Sequence, residues 1–431
     1  MKVLWFSNTS CNASVCLGEG PVGGGWLKSL DRALQGKVEL HIAFYYPKTD
    51  KSFQYQLTTY HPISKGNWKL KAILGIFWGR IINREDLGKY LDIIQKVNPD
   101  VIHIHGTENA FGCIIPHVKI PVVVSIQGCP TVYHYKYLAG FSLRDLRISI
   151  IYRGNGLRQF IRNKSLHRSY KEFARLGKRE RQNLRATKYI IGRTKWDQRI
   201  SLVLAPDSIY YHGDELLRDA FHNYTWQNVE CERLVVHTTT SNNTYKGFET
   251  LCEALYILRI EQGMDIIWQI AGLTEHDAIV KVTKLKLKRR FPQTGLIFQG
   301  PLDEDKLAHS LCKANIFVSP SHIENSPNSL CEAMLLGLPC IATFAGGTAS
   351  LITDGYDGML IQDGDPWALA GAILELYRDP HISKEYGHKA RARALIRHDI
   401  TRIVNTYLDI YNDIIDKENK ITDLGLTANN G

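Results

Sequence analysis

The chain has 431 residues, of which 44% are apolar, and a formal net charge of +10 at neutral pH. This length predicts two to three domains with ordinary hydrophobic cores, and the composition shows no long disordered region. Nine cysteines without a Cys-x-x-Cys pair argue against a disulfide framework and against a structural zinc site. No secretory signal or transmembrane helix is expected. The cysteine usage indicates a reducing compartment, so the sequence predicts a cytoplasmic protein.

The first half of the chain repeats a rhythm of strand, loop and helix. Apolar runs typical of strands occupy residues 3–6, 38–44, 101–105 and 122–126, and a helix is predicted over 26–34. This alternation predicts a parallel sheet with helices on both faces.

A glycine-rich loop before that helix contains a misleading motif. Gly18, Gly20 and Gly23 satisfy the dinucleotide-binding pattern Gly-x-Gly-x-x-Gly. The first strand ends near Ser7, however, which is too early for the tight turn that the pattern requires, and Pro21 interrupts the run. We therefore reject a dinucleotide site.

His103 and His105 lie on one face of a predicted strand and could present two imidazoles to a metal ion. No third ligand stands nearby in the sequence. We therefore predict no metal site here.

Positive charge is concentrated in residues 136–199, where 18 Lys and Arg outnumber four acids. Apolar residues recur there at steps of three and four, which predicts a helix with an apolar stripe and a basic back. The basic face could simply be solvated, or it could bind an anionic membrane surface through Arg158 to Arg185. No recognised motif supports nucleic acid binding, which is not expected. The stripe comprises Leu157, Phe160, Ile161, Tyr170, Phe173 and Leu176.

The second half begins a new series of strands and helices at residue 234. A helix is predicted over 247–260, and strands over 266–271, 296–299 and 314–318. Residues 206–229, which are polar and aromatic without a clear period, form the predicted linker.

The most informative segment is the junction between the last of these strands and the helix that follows it. Ser326 is predicted as the N-cap of that helix and Pro327 as its first residue. The N–H groups of Asn328 and Ser329, together with the positive end of the helix dipole, would then face a ligand beyond the strand. Such a position binds phosphate.

Two glutamates flank this junction. Glu324 lies in the loop, and Glu332 lies about one turn into the helix. One carboxylate could therefore contact hydroxyls near a phosphate while the other contacts hydroxyls further away, as in a nucleotide-sugar site. On spacing alone, a surface helix with a capping acid remains the alternative.

In order and spacing, this region resembles the donor half of the retaining glycosyltransferases of family 4. About a hundred residues match without a large gap, and Lys246-Gly247 belongs to the same pattern. The resemblance implies the α/β GT-B architecture, with two Rossmann-like domains and a ligand cleft between them. The motifs are Gly300-Pro-Leu-Asp-Glu-Asp, Val318-Ser-Pro-Ser, Glu332-Ala-Met, Gly337-Leu-Pro, Gly346-Gly347, Asp354-Gly-Tyr-Asp-Gly-Met-Leu and Asp363-Gly-Asp365-Pro.

The resemblance also implies a domain organisation. The predicted parts are an acceptor-side domain (1–205) completed by a C-terminal helix (about 395–418), the linker (206–229), a donor-binding domain (230–394) and a polar tail (419–431).

Site roles follow from the same resemblance. Lys246 is expected to contact the donor diphosphate, Glu324 the hydroxyls of the transferred sugar, and Glu332 the nucleotide ribose. Other expected donor-binding residues are Gly272, Leu302, Asn325, Ser326, Pro327, Asn328 and Ser329, and the acceptor-side residues are Gly24, Gly25 and Gln127.

Two positions depart from the family pattern. Ser241 and its neighbours stand where an arginine usually precedes the lysine by about five residues, and Gln127 stands where many relatives carry a histidine near the donor sugar. Gln127 can form hydrogen bonds but cannot titrate. The resemblance therefore leaves open how the charge of the leaving group is neutralised.

The function implied by the resemblance is a retaining, metal-independent hexosyltransferase that uses a nucleotide-sugar donor and no cofactor. A glycan or lipid-linked acceptor is expected, in bacterial surface polysaccharide biosynthesis on the inner face of the cell membrane. The alternatives are a catalytically impaired relative that acts as a binding subunit, and a nucleotide-sugar epimerase on the same fold. The sequence does not define the base, the sugar, the acceptor or the linkage.

Overall fold

The computed structural model of the protein describes residues 1–18, 25–64, 84–146, 166–227 and 233–428. The strands are β1 (Lys2–Ser7), β2 (Glu39–Tyr45), β3 (Phe53–Tyr55), β4 (Thr58–Ile63), β5 (Val101–His105), β6 (Val122–Ser125), β7 (Tyr189–Gly192), β8 (Ile209–His212), β9 (Leu234–Thr239), β10 (Ile266–Ala271), β11 (Leu296–Gly300), β12 (Ile316–Ser319), β13 (Cys340–Thr343) and β14 (Met359–Ile361). The helices are α1 (Ala13–Leu17), α2 (Gly25–Leu34), α3 (Arg84–Val97), α4 (Pro130–Lys136), α5 (Leu166–Arg185), α6 (Lys195–Leu204), α7 (Ala220–Asn223), α8 (Phe248–Tyr256), α9 (Ala278–Leu287), α10 (Glu304–Cys312), α11 (Asn328–Leu336), α12 (Pro366–Arg378), α13 (Pro380–Arg397) and α14 (Ile400–Ala428).

The strands form two separate sheets. The first has the order β3-β4-β2-β1-β5-β6-β7-β8, and the second has the order β11-β10-β9-β12-β13-β14. Every pairing is parallel except that of β3 with β4 at the edge of the first sheet. We call the first sheet with its helices the first unit, and the second sheet with its helices the second unit. The predicted pair of Rossmann-like sheets is confirmed.

The central strands are buried from end to end, as expected where helices cover both faces of a parallel sheet. All residues of β5, β6, β7, β12 and β13 are buried. Their side chains therefore build the cores, while the loops after their carboxyl ends are left to bind ligands.

Strand pairing and helix lengths differ from the predicted element boundaries at two places. β8 pairs with β7, so the first sheet extends beyond residue 205 and into the predicted linker. Residues 419–428, predicted as part of a polar tail, continue helix α14.

Helix α14 packs on the first unit, although it follows the second unit in sequence. Its buried residues Ile403, Tyr407 and Ile414 belong to the same core cluster as Trp5. The indole of Trp5 donates a hydrogen bond to the hydroxyl of Tyr411 over 3.1 Å. The C-terminal helix therefore completes the first unit, and the long separation in sequence explains why only the family resemblance, and no local pattern, predicted this.

The two histidines of β5 are buried in the packed interior of the first unit. His103 is fully buried and contacts the hydroxyl of Tyr411 through Nδ1 (2.7 Å) and that of Ser125 through Nε2 (2.6 Å). His105 packs edge-on against the rings of Trp5 and Trp26. Burial lowers the pKa of His103 to about 3, so this imidazole is neutral at physiological pH.

Helix α5 carries part of the basic region. Tyr170 stacks on His134, and Phe173 packs against Tyr137 and Tyr245, so the apolar side of the helix faces the protein. Residues Leu157, Phe160 and Ile161 of the predicted stripe lie outside the described residues, as does Arg158. The exposed cationic side chains of α5 are Arg168, Lys171, Arg175, Lys178, Arg181 and Arg185.

The described residues contain neither a disulfide bond nor a helix suited to span a bilayer. The eight cysteines found there are all free. In the same ranges, no helix combines the length and the apolar composition needed to span a bilayer.

Candidate functional site

A cavity of about 370 Å³ lies where loops of both units meet. Gln127 follows β6, Arg193 follows β7, Thr240 follows β9 and Glu324 follows β12 by a few residues, and all four line this cavity. The carboxyl ends of parallel strands are where ligands bind in open α/β sheets. We call this space the smaller cavity.

The start of helix α11 forms one wall of the smaller cavity, and the predicted cap is displaced by one residue. Pro327, not Ser326, is the N-cap: its backbone is extended, and its carbonyl accepts hydrogen bonds from the N–H groups of Leu330 and Cys331. The hydroxyl of Ser326 instead donates to the fully buried carboxylate of Glu215 over 2.7 Å. A buried carboxylate needs such donors, which explains why Ser326 is not available as a cap.

The displaced cap leaves the predicted anion site intact. Asn328 and Ser329 are the first two residues of α11, and both line the smaller cavity. Within the described chain, their N–H groups have no protein acceptor. Unpaired amides and the positive end of the dipole make this helix start suitable for a phosphate.

Lys246 and Glu324 are direct partners, which their separation in sequence did not predict. Lys246 ends a short 3-10 turn, and Gly247, in the left-handed region at φ 68°, starts α8. The ammonium of Lys246 donates to Oε1 of Glu324, and the hydroxyl of Ser321 donates to the same oxygen over 3.0 Å. Both Lys246 and Glu324 line the smaller cavity, so the cavity holds one cation and one carboxylate in contact.

Four buried polar atoms of residues around the smaller cavity have no protein partner. They are Nε2 of Gln127, Nη2 of Arg193, and the hydroxyl oxygens of Thr239 and Thr240. The large majority of buried side-chain polar atoms in proteins have a hydrogen-bond partner. Four unpaired atoms around one cavity therefore indicate a ligand that is rich in hydrogen-bonding groups.

Glu332 lies in α11 as predicted, but the structure gives it a partner that the sequence did not reveal. Its two carboxylate oxygens accept bonds from Nε and Nη2 of Arg218, each over 2.7 Å. Burial raises the pKa of Glu332, and the guanidinium of Arg218 opposes that shift. Glu332 is therefore connected to the cleft by the side chain of Arg218 and does not present a free carboxylate.

Arg218 also lines a second, larger cavity of about 620 Å³, which shares Thr239 with the smaller one. Three predicted site residues, Gly25, Gly272 and Leu302, lie here. Together the two cavities form a cleft that is long enough to hold separate parts of one ligand.

Two glycines of the larger cavity stand where no side chain fits. Gly272 has φ 89°, and a Cβ there would be 2.1 Å from the carbonyl oxygen of Thr240. A Cβ on Gly25 would be 2.5 Å from Cδ of Arg218. At these two positions the backbone can come close to a ligand, whereas Gly24 lies outside the described residues.

Asn325 occupies a different environment from the one expected of a donor-binding residue. Its Nδ2 donates to Asp197 over 2.8 Å and to the carbonyl of Gln127 over 3.2 Å, and its Oδ1 accepts from the hydroxyl of Thr194 over 2.7 Å. All three partners belong to the first unit. Asn325 therefore joins the two units, and its side chain is occupied by protein contacts.

Sequence reasoning missed Arg193 and Arg218 as site residues. Arg193 directly follows the fully buried strand β7, and Gln127 is the second residue after the fully buried strand β6. A position directly after a buried strand is a usable signal of a site residue, but in the sequence Arg193 is one of many cations in the basic region 136–199. Arg218 lies in the predicted linker, where no periodic pattern gave any indication of a site.

One group of potential metal ligands occurs among the described residues: Glu215, Cys331 and His398 have ligand atoms within 4.8 Å of one another. Burial alone would raise the pKa of Glu215, but Arg397 and Arg193 hold it below its usual range. Two neighbouring guanidinium groups already supply the positive charge that this carboxylate needs. The donor set therefore fits a charge-balanced core better than a cation site.

Comparison with known proteins agrees with this geometry. Residues 232–379 match the profile of the family described as Glycosyl transferases group 1. N-acetyl-alpha-D-glucosaminyl L-malate synthase of Bacillus anthracis is 32% identical over 120 residues, which are 27% of this chain and 32% of that enzyme. The chain thus aligns with about a third of the length of the curated relatives that it matches.

Solved structures resemble the chain over almost its whole length. Sucrose-phosphate synthase of Thermosynechococcus elongatus has a TM-score of 0.72 at 15% identity, covering 97% of this chain and 100% of its own. Anabaena HepE, solved in complex with UDP and glucose, has a TM-score of 0.66 at 15% identity, covering 96% and 100%. The protein therefore has the GT-B glycosyltransferase fold, and its residues 232–379 form a domain of the glycosyl transferases group 1 family.

Proposed function

We propose that the protein is a glycosyltransferase that moves a hexose from a nucleotide-sugar donor to a glycan or lipid-linked acceptor. The observation that carries this proposal is the smaller cavity, in which Lys246, Glu324 and the free amides of Asn328 and Ser329 surround one space. Diphosphate, sugar hydroxyls and a departing anion are the groups that such a site suits. The crystal of HepE with UDP and glucose supports a donor of this chemical class.

Negative charge grows on the departing diphosphate, and the proposed reaction depends mainly on stabilising that charge. The ammonium of Lys246 and the start of α11 both face the smaller cavity. Donors fixed before the reaction stabilise developing negative charge without reorganising, which is where most of the catalysis is expected. As that charge develops, the ammonium of Lys246 can leave Glu324 and bind the diphosphate instead.

Glu324 is positioned by Ser321 and Lys246, and it is assigned to the transferred sugar. Gln127, with an unpaired Nε2, can donate to the same sugar but cannot act as a base. We assign no covalent nucleophile. We further propose that the anomeric configuration is retained through front-face attack assisted by the leaving phosphate, and that the reaction needs no metal ion.

The test is turnover with a panel of UDP-, GDP- and ADP-hexoses, measured as release of free nucleoside diphosphate with and without a glycan acceptor. We expect release from one donor class, unchanged by EDTA, and a product whose anomeric configuration by NMR equals that of the donor. Binding of a nucleoside diphosphate without turnover of any donor would contradict the proposal. Interconversion of the sugar nucleotide without release would indicate an epimerase.

A binding subunit without catalysis is the second candidate, and two observations favour it. Arg218 occupies both oxygens of Glu332, the residue expected to hold the ribose, and Ser241 replaces the family arginine. The turnover experiment separates the two candidates, because a binding subunit would retain nucleotide affinity but release no product.

Surface polysaccharide assembly at the inner face of the cell membrane is the cellular role that we propose, and helix α5 suggests how the protein reaches it. Its exposed basic side chains would be attracted to anionic lipid. We expect association with vesicles that contain anionic lipid to weaken as salt rises, because exposed charges are screened. Neutralising Lys171, Arg175 and Lys178 with glutamine should reduce that association, as measured by vesicle sedimentation.

The matched control removes the same amount of charge elsewhere. Lys281, Lys288 and Arg289 are also exposed and lie in the second unit, so replacing them with glutamine should leave association unchanged. Equal sedimentation with neutral and anionic vesicles would contradict the proposed membrane role. Stronger binding to random RNA than to vesicles would point to a nucleic acid partner instead.

A further inference from the structure

Arg193 is a buried cation of the first unit that lines the smaller cavity, and the proposed mechanism does not yet use it. The residue is only 4% exposed. Its guanidinium stacks on the ring of Trp26, with 4.1 Å from Cζ to the ring centroid, and its Nη2 has no hydrogen-bond partner. Burying an unpaired donor of a charged group is costly, so a partner supplied from the cavity is the simplest account of its position.

The nearest carboxylate does not satisfy Arg193. Nε lies 3.5 Å from Oε2 of Glu215, which is longer than a strong hydrogen bond to a carboxylate. Glu215 also lies 3.8 Å from Arg397 and accepts the hydroxyl of Ser326. The buried carboxylate of Glu215 is thus shared by the guanidinium groups of Arg193 and Arg397. Arg397 also forms an ion pair with Asp214 over 2.7 Å. Nη2 of Arg193 therefore remains without a hydrogen-bond acceptor.

The position of Arg193 relative to the phosphate-facing helix is fixed by two links. Its backbone N–H donates to Oδ2 of Asp197, and Nδ2 of Asn325 donates to the same oxygen, each over 2.8 Å. Glu215 forms the second link, since it contacts both Arg193 and Ser326. Arg193 therefore keeps its place beside residues 324–329, although it belongs to the other unit.

We propose that Arg193 is a second cation for the diphosphate of the donor, supplied by the first unit across the cleft. This inference rests on the proposed function, and it names the residue that provides the charge missing at Ser241. Ser241 lines the same cavity but carries no charge. A guanidinium fork can bind two phosphate oxygens at once, whereas the ammonium of Lys246 acts as a point charge. Together they would hold the diphosphate from both units.

The experiment compares affinity for a nucleoside diphosphate with affinity for the matching nucleoside. Wild-type protein is titrated calorimetrically with UDP, GDP and ADP and with uridine, guanosine and adenosine. For the base that binds, Arg193→Gln should lower diphosphate affinity by about 10-fold to 100-fold, as expected for a lost charge-assisted bond, and leave nucleoside affinity unchanged.

Two further variants separate recognition from folding. Arg193→Met with Glu215→Gln removes both charges together, so that neither is left unbalanced, and should show the same selective loss. Arg402→Gln removes a guanidinium that binds the neighbouring carboxylate Asp214, and Arg402 does not line either cavity. This control should leave the ratio of the two affinities unchanged.

The outcomes distinguish the inference from the proposed function. If wild-type protein binds none of the three diphosphates, the proposed function fails and the inference fails with it. If wild-type protein binds a diphosphate but Arg193→Gln and the double variant bind it equally well, only the role of Arg193 is overturned. Equal losses for diphosphate and nucleoside, or an equal effect of Arg402→Gln, would also overturn it, since they would show a structural role.

Discussion

Replacing Lys246 with alanine is expected to raise the barrier of glycosyl transfer by about 2 to 4 kcal/mol, the usual cost of losing one donor to a developing anion. Turnover should therefore fall by about 30-fold to 1000-fold. The physical reason is that the ammonium faces the same cavity as the amides of Asn328 and Ser329, where the leaving diphosphate gains charge. Single-turnover kinetics with the accepted donor measures this directly.

The structure adds a stability effect to that prediction. Without Lys246, the nearly buried carboxylate of Glu324 keeps only the hydroxyl of Ser321 as a side-chain donor. We expect a loss of about 1 to 3 kcal/mol in the free energy of unfolding, measured by denaturant titration. Lys389→Ala is the matched control, because Lys389 pairs with Glu385 on the surface and should change neither quantity measurably. Wild-type turnover of the Lys246 variant would remove this residue from the mechanism.

The sequence predicted the features of this site that depend on neighbours in the chain. The apolar strand before the junction, the helix after it and the free amides of Asn328 and Ser329 all follow from local pattern. The cap itself was misplaced by one residue. A distant carboxylate, Glu215, binds the hydroxyl of Ser326, and no local rule contains that contact.

The features that the sequence did not predict are contacts between distant segments. Arg218 and Glu332 are 114 residues apart, and Lys246 and Glu324 are 78 apart. Each residue type was plausible at its own position, but which cation pairs with which carboxylate is decided by how the two sheets face one another. For the same reason Arg193, which belongs to a basic stretch in sequence, is a buried cleft residue in the fold.

The two site glutamates have different partners, and this leads to different expected losses. Glu332 binds Arg218, which lines the larger cavity, and it is assigned to the nucleotide ribose, a group that does not react. Glu332→Gln should weaken binding of the free nucleoside diphosphate by about 10-fold or more, because it also leaves Arg218 without its carboxylate. Arg218→Gln is the informative companion, since it separates the loss of the ribose contact from the loss of the ion pair.

Glu324 binds Lys246 in the smaller cavity and is assigned to the transferred sugar, whose ring gains positive charge as the glycosidic bond breaks. Its carboxylate should therefore contribute more in the transition state than in the ground state. Glu324→Gln is expected to lower turnover by about 10-fold to 1000-fold while the affinity for the free diphosphate stays within about 3-fold of wild type. Calorimetric titration of the diphosphate, beside turnover of the full donor, compares the variants. Equal losses of diphosphate affinity in Glu324→Gln and Glu332→Gln would contradict the division of roles, because both residues would then act on the same part of the ligand.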